Sequence, residues 1–241
     1  MKKTIEIAKK VYTETNEKVF YDSMNFWNDK EGIAIGDPTE NCLSVLITRD
    51  GGLSWNKIPC NKLPKTVDGE AAFAASNTNI CIKGSKTWIV SGGKRARVFY
   101  SPDKGMRWEV FETPIIQGKE MTGIFTADFY DEKIGVVAGG NYEVQGQNFQ
   151  NKAITYDSGQ TWKLIAENTG FGYASCIQFV PKSKGRGLVA VGTSGLYYSG
   201  DSGTTWNQLM KDKTLYTIRF IDQDNAVAAG KDKIIRIHFK K

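Results

Sequence analysis

One eight-residue pattern occurs four times in this chain and constrains its fold more than any other feature. Thr48-Arg49-Asp50-Gly51-Gly52-Leu53-Ser54-Trp55 returns as Ser101-Pro102-Asp103-Lys104-Gly105-Met106-Arg107-Trp108, as Thr155-Tyr156-Asp157-Ser158-Gly159-Gln160-Thr161-Trp162 and as Ser199-Gly200-Asp201-Ser202-Gly203-Thr204-Thr205-Trp206. The four aspartates stand 53, 54 and 44 residues apart, so each period holds one small antiparallel sheet. Locally the pattern describes a braced reverse turn. The carboxylate accepts from turn N–H groups, the glycine two residues on takes a positive φ, and the leading hydroxyl adds a further bond. The tryptophan then opens the next strand and buries its ring, given an acceptor for the indole N–H.

The rest of the composition narrows the class. Over 241 residues, 40% hydrophobic and 24% charged describe a folded globular chain, read here as a single domain over 1–241. No apolar run reaches the roughly 20 residues of a membrane span. Met1-Lys2-Lys3 is basic, but Glu6, Lys9 and Lys10 interrupt the apolar residues after it, so any export signal is absent or already removed. The formal charge of +6 is scattered rather than gathered in a stripe, which argues against nucleic acid. Cys42, Cys60, Cys81 and Cys176 form no CxxC pair and His238 is the only histidine, so no zinc or other metal site is expected. The cysteines read either as buried small hydrophobes or as including one disulfide of unassigned pairing.

The repeated octapeptide resembles the Asp-box, or BNR repeat, of sialidase-like β-propellers. The stretches Gly36-Asp37-Pro38 and Gly69-Glu70-Ala71-Ala72-Phe73-Ala74-Ala75-Ser76 add a narrower resemblance to bacterial propellers of the photosystem II stability and assembly factor kind. That resemblance implies an all-β propeller of four-stranded antiparallel blades. It also implies a periplasmic or extracellular location, since such relatives are commonly exported, and a structural role for Asp50, Asp103, Asp157 and Asp201. Labels of oxidoreductase or glycosyl hydrolase often accompany the family.

β-Prone runs at 22–27, 32–36, 43–48 and 55–59 make a first blade. A second spans 71–114 with middle strands 87–91 and 97–101, a third 122–167 with 134–138 and 152–155, and a fourth 173–210 with 188–191 and 196–199. Three further strands, 215–221, 225–229 and 234–239, lack a fourth. Residues 4–12 are expected to supply it and to clasp a ring of five blades. The alternative is part of a six- or seven-bladed propeller.

By the same resemblance the ligand face lies opposite the boxes. Its loops start at Gly36, Gly92, Gly139, Gly192 and Gly230, each a glycine suited to tight backbone passage. The longest, 139–150, carries Tyr142, Glu143 and Asn148 and reads either as a platform for a sugar or peptide or as a solvated insertion. Asp37, Glu40, Glu70 and Tyr173 border the same face. Arg95 and Arg97, expected to face alike, either clamp a carboxylate or pair internally with Glu70 or Asp37.

Sialidase chemistry asks for an arginine cluster, and Arg95, Arg97 and Arg219 are on offer, but the Arg-Ile-Pro segment of that family is missing. A general glycosidase needs two carboxyl groups roughly 5–10 Å apart, for which Asp37 and Glu70 are the pair. Redox chemistry has neither a nucleotide fingerprint nor a Cys/His cluster, and no cofactor is expected. The expectation is a non-catalytic binding or assembly propeller holding a protein segment or a glycan, with glycoside hydrolysis as the alternative.

Overall fold

The computed structural model describes residues 8–74 and 76–240. Among them, five antiparallel sheets follow one another along the chain. The first pairs Tyr21–Phe26, Gly32–Gly36, Ser44–Thr48 and Asn56–Lys57 in that order. The second pairs Ile80–Lys83, Lys86–Val90, Arg97–Ser101 and Glu109–Glu112. Thr122–Phe129, Gly135–Asn141, Lys152–Thr155 and Lys163–Leu164 form the third, and Cys176–Phe179, Leu188–Gly192, Gly195–Ser199 and Asn207–Met210 the fourth. The fifth holds three strands, Leu215–Phe220, Asn225–Gly230 and Lys233–His238. No helix of the described residues is long and apolar enough to cross a membrane.

Middle strands such as Ser44–Thr48 and Leu188–Gly192 are buried throughout, because β-branched and aliphatic side chains leave both faces of each sheet against a neighbour. Successive sheets share a core. Ile33, Val45, Ile89 and Phe99 join the first two, while Trp88, Phe129 and Val137 join the second and third. Val136, Ile177 and Leu188 join the third and fourth, and Val191, Leu196, Ile218 and Ala226 the fourth and fifth. The octapeptide tryptophans reinforce these junctions: Trp108 packs into the first, Trp162 into the second and Trp206 into the third.

Two sequence expectations change here. Residues 4–7 of the anticipated clasp lie outside the described residues, and 8–12 form no strand. Instead Tyr12 packs edge-on against Tyr21 of the first sheet at 6.3 Å, and Glu14 accepts from Tyr21 Oη at 2.7 Å and pairs with Lys57. Among the described residues no buried core joins the last sheet to the first. The second blade also begins later than expected. Glu70–Ala71 pairs with Gly92–Gly93, and both extend the third sheet through Gly92 opposite Gly123, so the innermost strand of the second sheet is Ile80–Lys83. Of the cysteines, Cys42 and Cys60 are joined in a disulfide and Cys81 and Cys176 are buried thiols.

Candidate site on the loop face

Each octapeptide is braced as its residue types require. Thr48 Oγ1 donates to Asp50 Oδ1 at 2.8 Å and receives the Gly52 N–H at 2.9 Å, while Asp50 accepts from the backbone and side chain of Ser54. The same bonds recur around Asp157 and Asp201. Around Asp103, Arg107 Nε replaces the second hydroxyl. Trp108, Trp162 and Trp206 donate their indole N–H to the carbonyl of the box glycine. Those glycines have φ between 81° and 87°, and the residue before each is also left-handed, even where it is Lys104, Ser158 or Ser202. Hydrogen bonding from Ser54 holds the Asp50 carboxyl down at about 2. These carboxylates are fully engaged in turn geometry, which leaves them nothing to do for a ligand.

The opposite end of the sheets carries the candidate site. The expected glycines have a specific cause. A Cβ at Gly36 would stand 2.1 Å from the Phe20 carbonyl, and one at Gly230 1.8 Å from the Thr214 carbonyl. The chain entering the innermost strand crosses the second strand backbone to backbone at these points, and register shifts lie beside them at Tyr21/Ser23 and Leu215/Thr217.

Glu70 and Asp37 have separate partners. Glu70, 3% exposed, accepts from Arg97 Nε at 2.9 Å, Ser91 Oγ at 2.7 Å and the Val67 N–H at 3.1 Å. Arg97 Nη2 donates both to Glu70 Oε2 and to the Lys65 carbonyl, the latter at 2.8 Å. This is the internal pairing that the sequence left open, and it commits the Glu70 carboxylate to a closed ion pair. Arg95 and Arg97 do not face alike: Arg95 lies outside the strand and pairs with Glu112 at the surface, 3.5 Å away. Arg219 stands elsewhere again, on the innermost strand of the fifth sheet, donating to the Ser76 carbonyl at 2.8 Å and Thr217 Oγ1 at 2.9 Å. The three arginines form no cluster.

The carboxyl that shares Asp37's surroundings is Asp22, which sequence reasoning missed. Asp22 occupies the register shift beside Tyr21, opposite the Gly36 end of the second strand. Burial first, and the charge of Asp37 second, push its carboxyl up to about 7. Its Oδ2 is buried and has no hydrogen-bond partner among the described residues. Burial also raises Asp37, against a 3.0 Å bond from the Ala72 N–H. Glu40 is exposed nearby.

The long loop is built, not slack. Asn141 Oδ1 caps a short helical turn, Tyr142–Val144, by accepting from the N–H groups of Glu143 and Val144. Backbone bonds fasten the loop: Tyr173 N–H to Gln145 at 2.8 Å, Asn168 N–H to Asn148 at 3.1 Å and Ile116 N–H to Gln150 at 2.8 Å. Tyr142 lies edge-on to buried Tyr173 at 5.1 Å, Tyr173 edge-on to Phe125 at 4.8 Å, and Phe125 stacks on Phe73 at 3.9 Å. Phe73 and Phe125 went unnoticed in the sequence because nothing local marks them as neighbours. Above this aromatic base the loop shows Tyr142, Glu143, Val144 and Phe149 to solvent. Beneath it Asn151 donates to the Phe171 and Gly172 carbonyls, and Lys152, held down to about 8 by burial, donates to Asn151.

No protein-family model and no curated protein sequence matches the chain. Solved structures do. An ancestral GH74 enzyme aligns at a TM-score of 0.61 and 11% identity over 90% of this chain and 30% of that one. The WD40 β-propeller domain of Doa1 aligns at 0.53 and 8% over 90% and 64%. YCF48 bound to a D1 peptide aligns at 0.43 and 14% over 92% of each chain. At identities this low the likeness is one of fold, and that fold is the β-propeller.

Proposed function

We propose that this chain is a non-catalytic Asp-box propeller, of the photosystem II assembly factor-like kind, that holds a segment of a protein on its loop face. One observation carries the reading: exposed Tyr142, set edge-on to buried Tyr173, shares a capped, hydrogen-bonded loop with exposed Val144 and Phe149. A rigid amphipathic platform loses little entropy on binding, and exposed apolar rings flanked by a carboxylate suit a mixed peptide surface. Glycans share the need for a ring to stack on and are the second ligand class. The Cys42–Cys60 disulfide supports a periplasmic or extracellular location. A peptide array and a glycan array, each read with the parent and with Tyr142→Ala/Phe149→Ala, test the proposal. Peptide signals that vanish in the double variant support it, and signals that persist unchanged refute it.

Glycoside hydrolysis remains a second reading on one observation, the buried and partnerless Oδ2 of Asp22 beside Asp37. A carboxyl lifted to about 7 beside a second carboxyl is the kind of pair that acid–base hydrolysis uses. In that reading Asp22 takes the place of Glu70, whose carboxylate is engaged by Arg97. Turnover of a glycoside panel that disappears in both Asp22→Asn and Asp37→Asn establishes it, and a panel without turnover dismisses it.

A further inference from the structure

The fifth sheet differs from the others at its outer edge. In the first four, the braced turn delivers a fourth strand, and Trp108, Trp162 and Trp206 each fill a junction between sheets. At the junction of the fourth and fifth sheets there is no such tryptophan. Among the described residues no strand pairs with the outer edge of Lys233–His238. A cavity of about 630 Å³ lies there, lined by Leu196, Tyr198, Leu209, Met210, Ile237 and Phe239. Its surroundings are an unpaired strand edge on one side and an apolar trough, of the kind that holds an indole in the other junctions, on the other.

We propose that this edge is a strand-addition site for another protein, and that it takes an extended acidic segment carrying one large aromatic side chain. Main-chain pairing to Lys233–His238 supplies affinity, and the trough selects the aromatic residue in alternate-residue register. Charge selects the rest. Lys231, Arg236 and Lys240 lie on the edge strand and its flanks against Asp232, Lys233 is engaged by Asp212 at 2.6 Å, and Asp224 is the one acid lining the trough. Basic edge residues alone would only discourage pairing with a like strand; the trough beside them is what makes a site. The same charges disfavour the two other occupants. A second copy would bring an equally basic edge, and the chain's own first ten residues carry Lys2, Lys3, Lys9 and Lys10 against Glu6.

The test uses the full chain and a fluorescein-labelled peptide of about nine residues, enough for one strand, with glutamate and valine alternating around a central tryptophan. Fluorescence anisotropy is expected to show binding about tenfold or more tighter than for the same peptide with lysine in place of glutamate. Hydrogen exchange is expected to slow at outward amides of Lys233–His238. Ile237→Glu should abolish binding, and Lys231→Glu/Arg236→Glu, neither of which lines the trough, should weaken it. Tyr142→Ala should leave it unchanged, which separates this edge from the loop face. Equal affinity for the two peptides, unchanged exchange at the edge, binding that appears only after removal of residues 1–7, or a dimer on light scattering would each overturn the proposal.

Discussion

The two ends of the sheets solve opposite problems. At one end, four turns of one design place each aspartate among donors from its own octapeptide, and the carboxyls are held low. At the other, no two loops match, the Asp22 carboxyl is lifted to about 7, and polar atoms such as Asp22 Oδ2, Gln147 Nε2 and Thr193 Oγ1 are buried without partners among the described residues. Satisfied polar groups stabilise a fold, and unsatisfied ones mark where stability has been given up. Substitution of a box carboxylate should therefore lower melting and leave binding intact, and substitution of an exposed loop-face ring should remove binding and leave melting intact.

The largest effect should come from Trp162→Ala. The ring lies edge-on to Phe129 at 6.1 Å in the junction of the second and third sheets, and removing a large aromatic costs about 3–5 kcal/mol. In a chain of this length that lowers the melting temperature by about 10 °C in scanning calorimetry, with ligand affinity of the surviving fold unchanged. Next comes the covalent link of the loop end. Cys42→Ser/Cys60→Ser opens a loop with a sequence separation of 18 and should cost about 3 kcal/mol in denaturant unfolding. Asp157→Ala strips acceptors from Thr155 Oγ1, Thr161 Oγ1 and the Thr161 N–H, for about 1–3 kcal/mol by the same assay. Loss of ligand binding in Asp157→Ala without loss of stability would break the division of labour.

A smaller effect carries a pH signature. The folded value of Asp22, about 7, lies above its ordinary 3.8. Its contribution to stability is therefore fully present below 3.8 and is lost as pH rises through 7. Asp22→Asn should melt with the parent at pH 3 and about 2–4 °C above it at pH 8, by differential scanning fluorimetry. The box carboxylates have the opposite sign. Their folded values lie below the ordinary one, so their stabilisation is present above 3.8 and is lost as pH falls towards the Asp50 value of about 2. The smallest change in stability belongs to Tyr142→Ala/Phe149→Ala, exposed substitutions expected to stay within about 0.5 kcal/mol while removing loop-face binding.

Local patterns were legible in the sequence. The first-sheet strands predicted at 22–27, 32–36 and 43–48 are observed at Tyr21–Phe26, Gly32–Gly36 and Ser44–Thr48, and the braced turn has the bonds its residues imply. Other features were not. The left-handed residue before each box glycine carries no compositional mark when it is lysine or serine. The pairing of Arg97 with Glu70 was one of the alternatives the residue types left open, and only the fold selects it over Asp37. Asp22 escaped notice because a one-residue register shift, invisible in a six-residue strand, decides which side chain meets Asp37.

By itself, then, the amino-acid order determined what neighbours a few residues apart can decide: the period, the turns, and the alternation that makes strands. Packing alone decided which carboxylate is neutralised, which is left partnerless, that Phe73 stacks on Phe125, and that one junction of sheets holds a trough where three hold an indole. The physical reason is range. Turn and strand preferences act through bonds and sterics within a few residues, whereas an ion pair, a ring stack or a cavity depends on ångström-scale register between segments tens of residues apart.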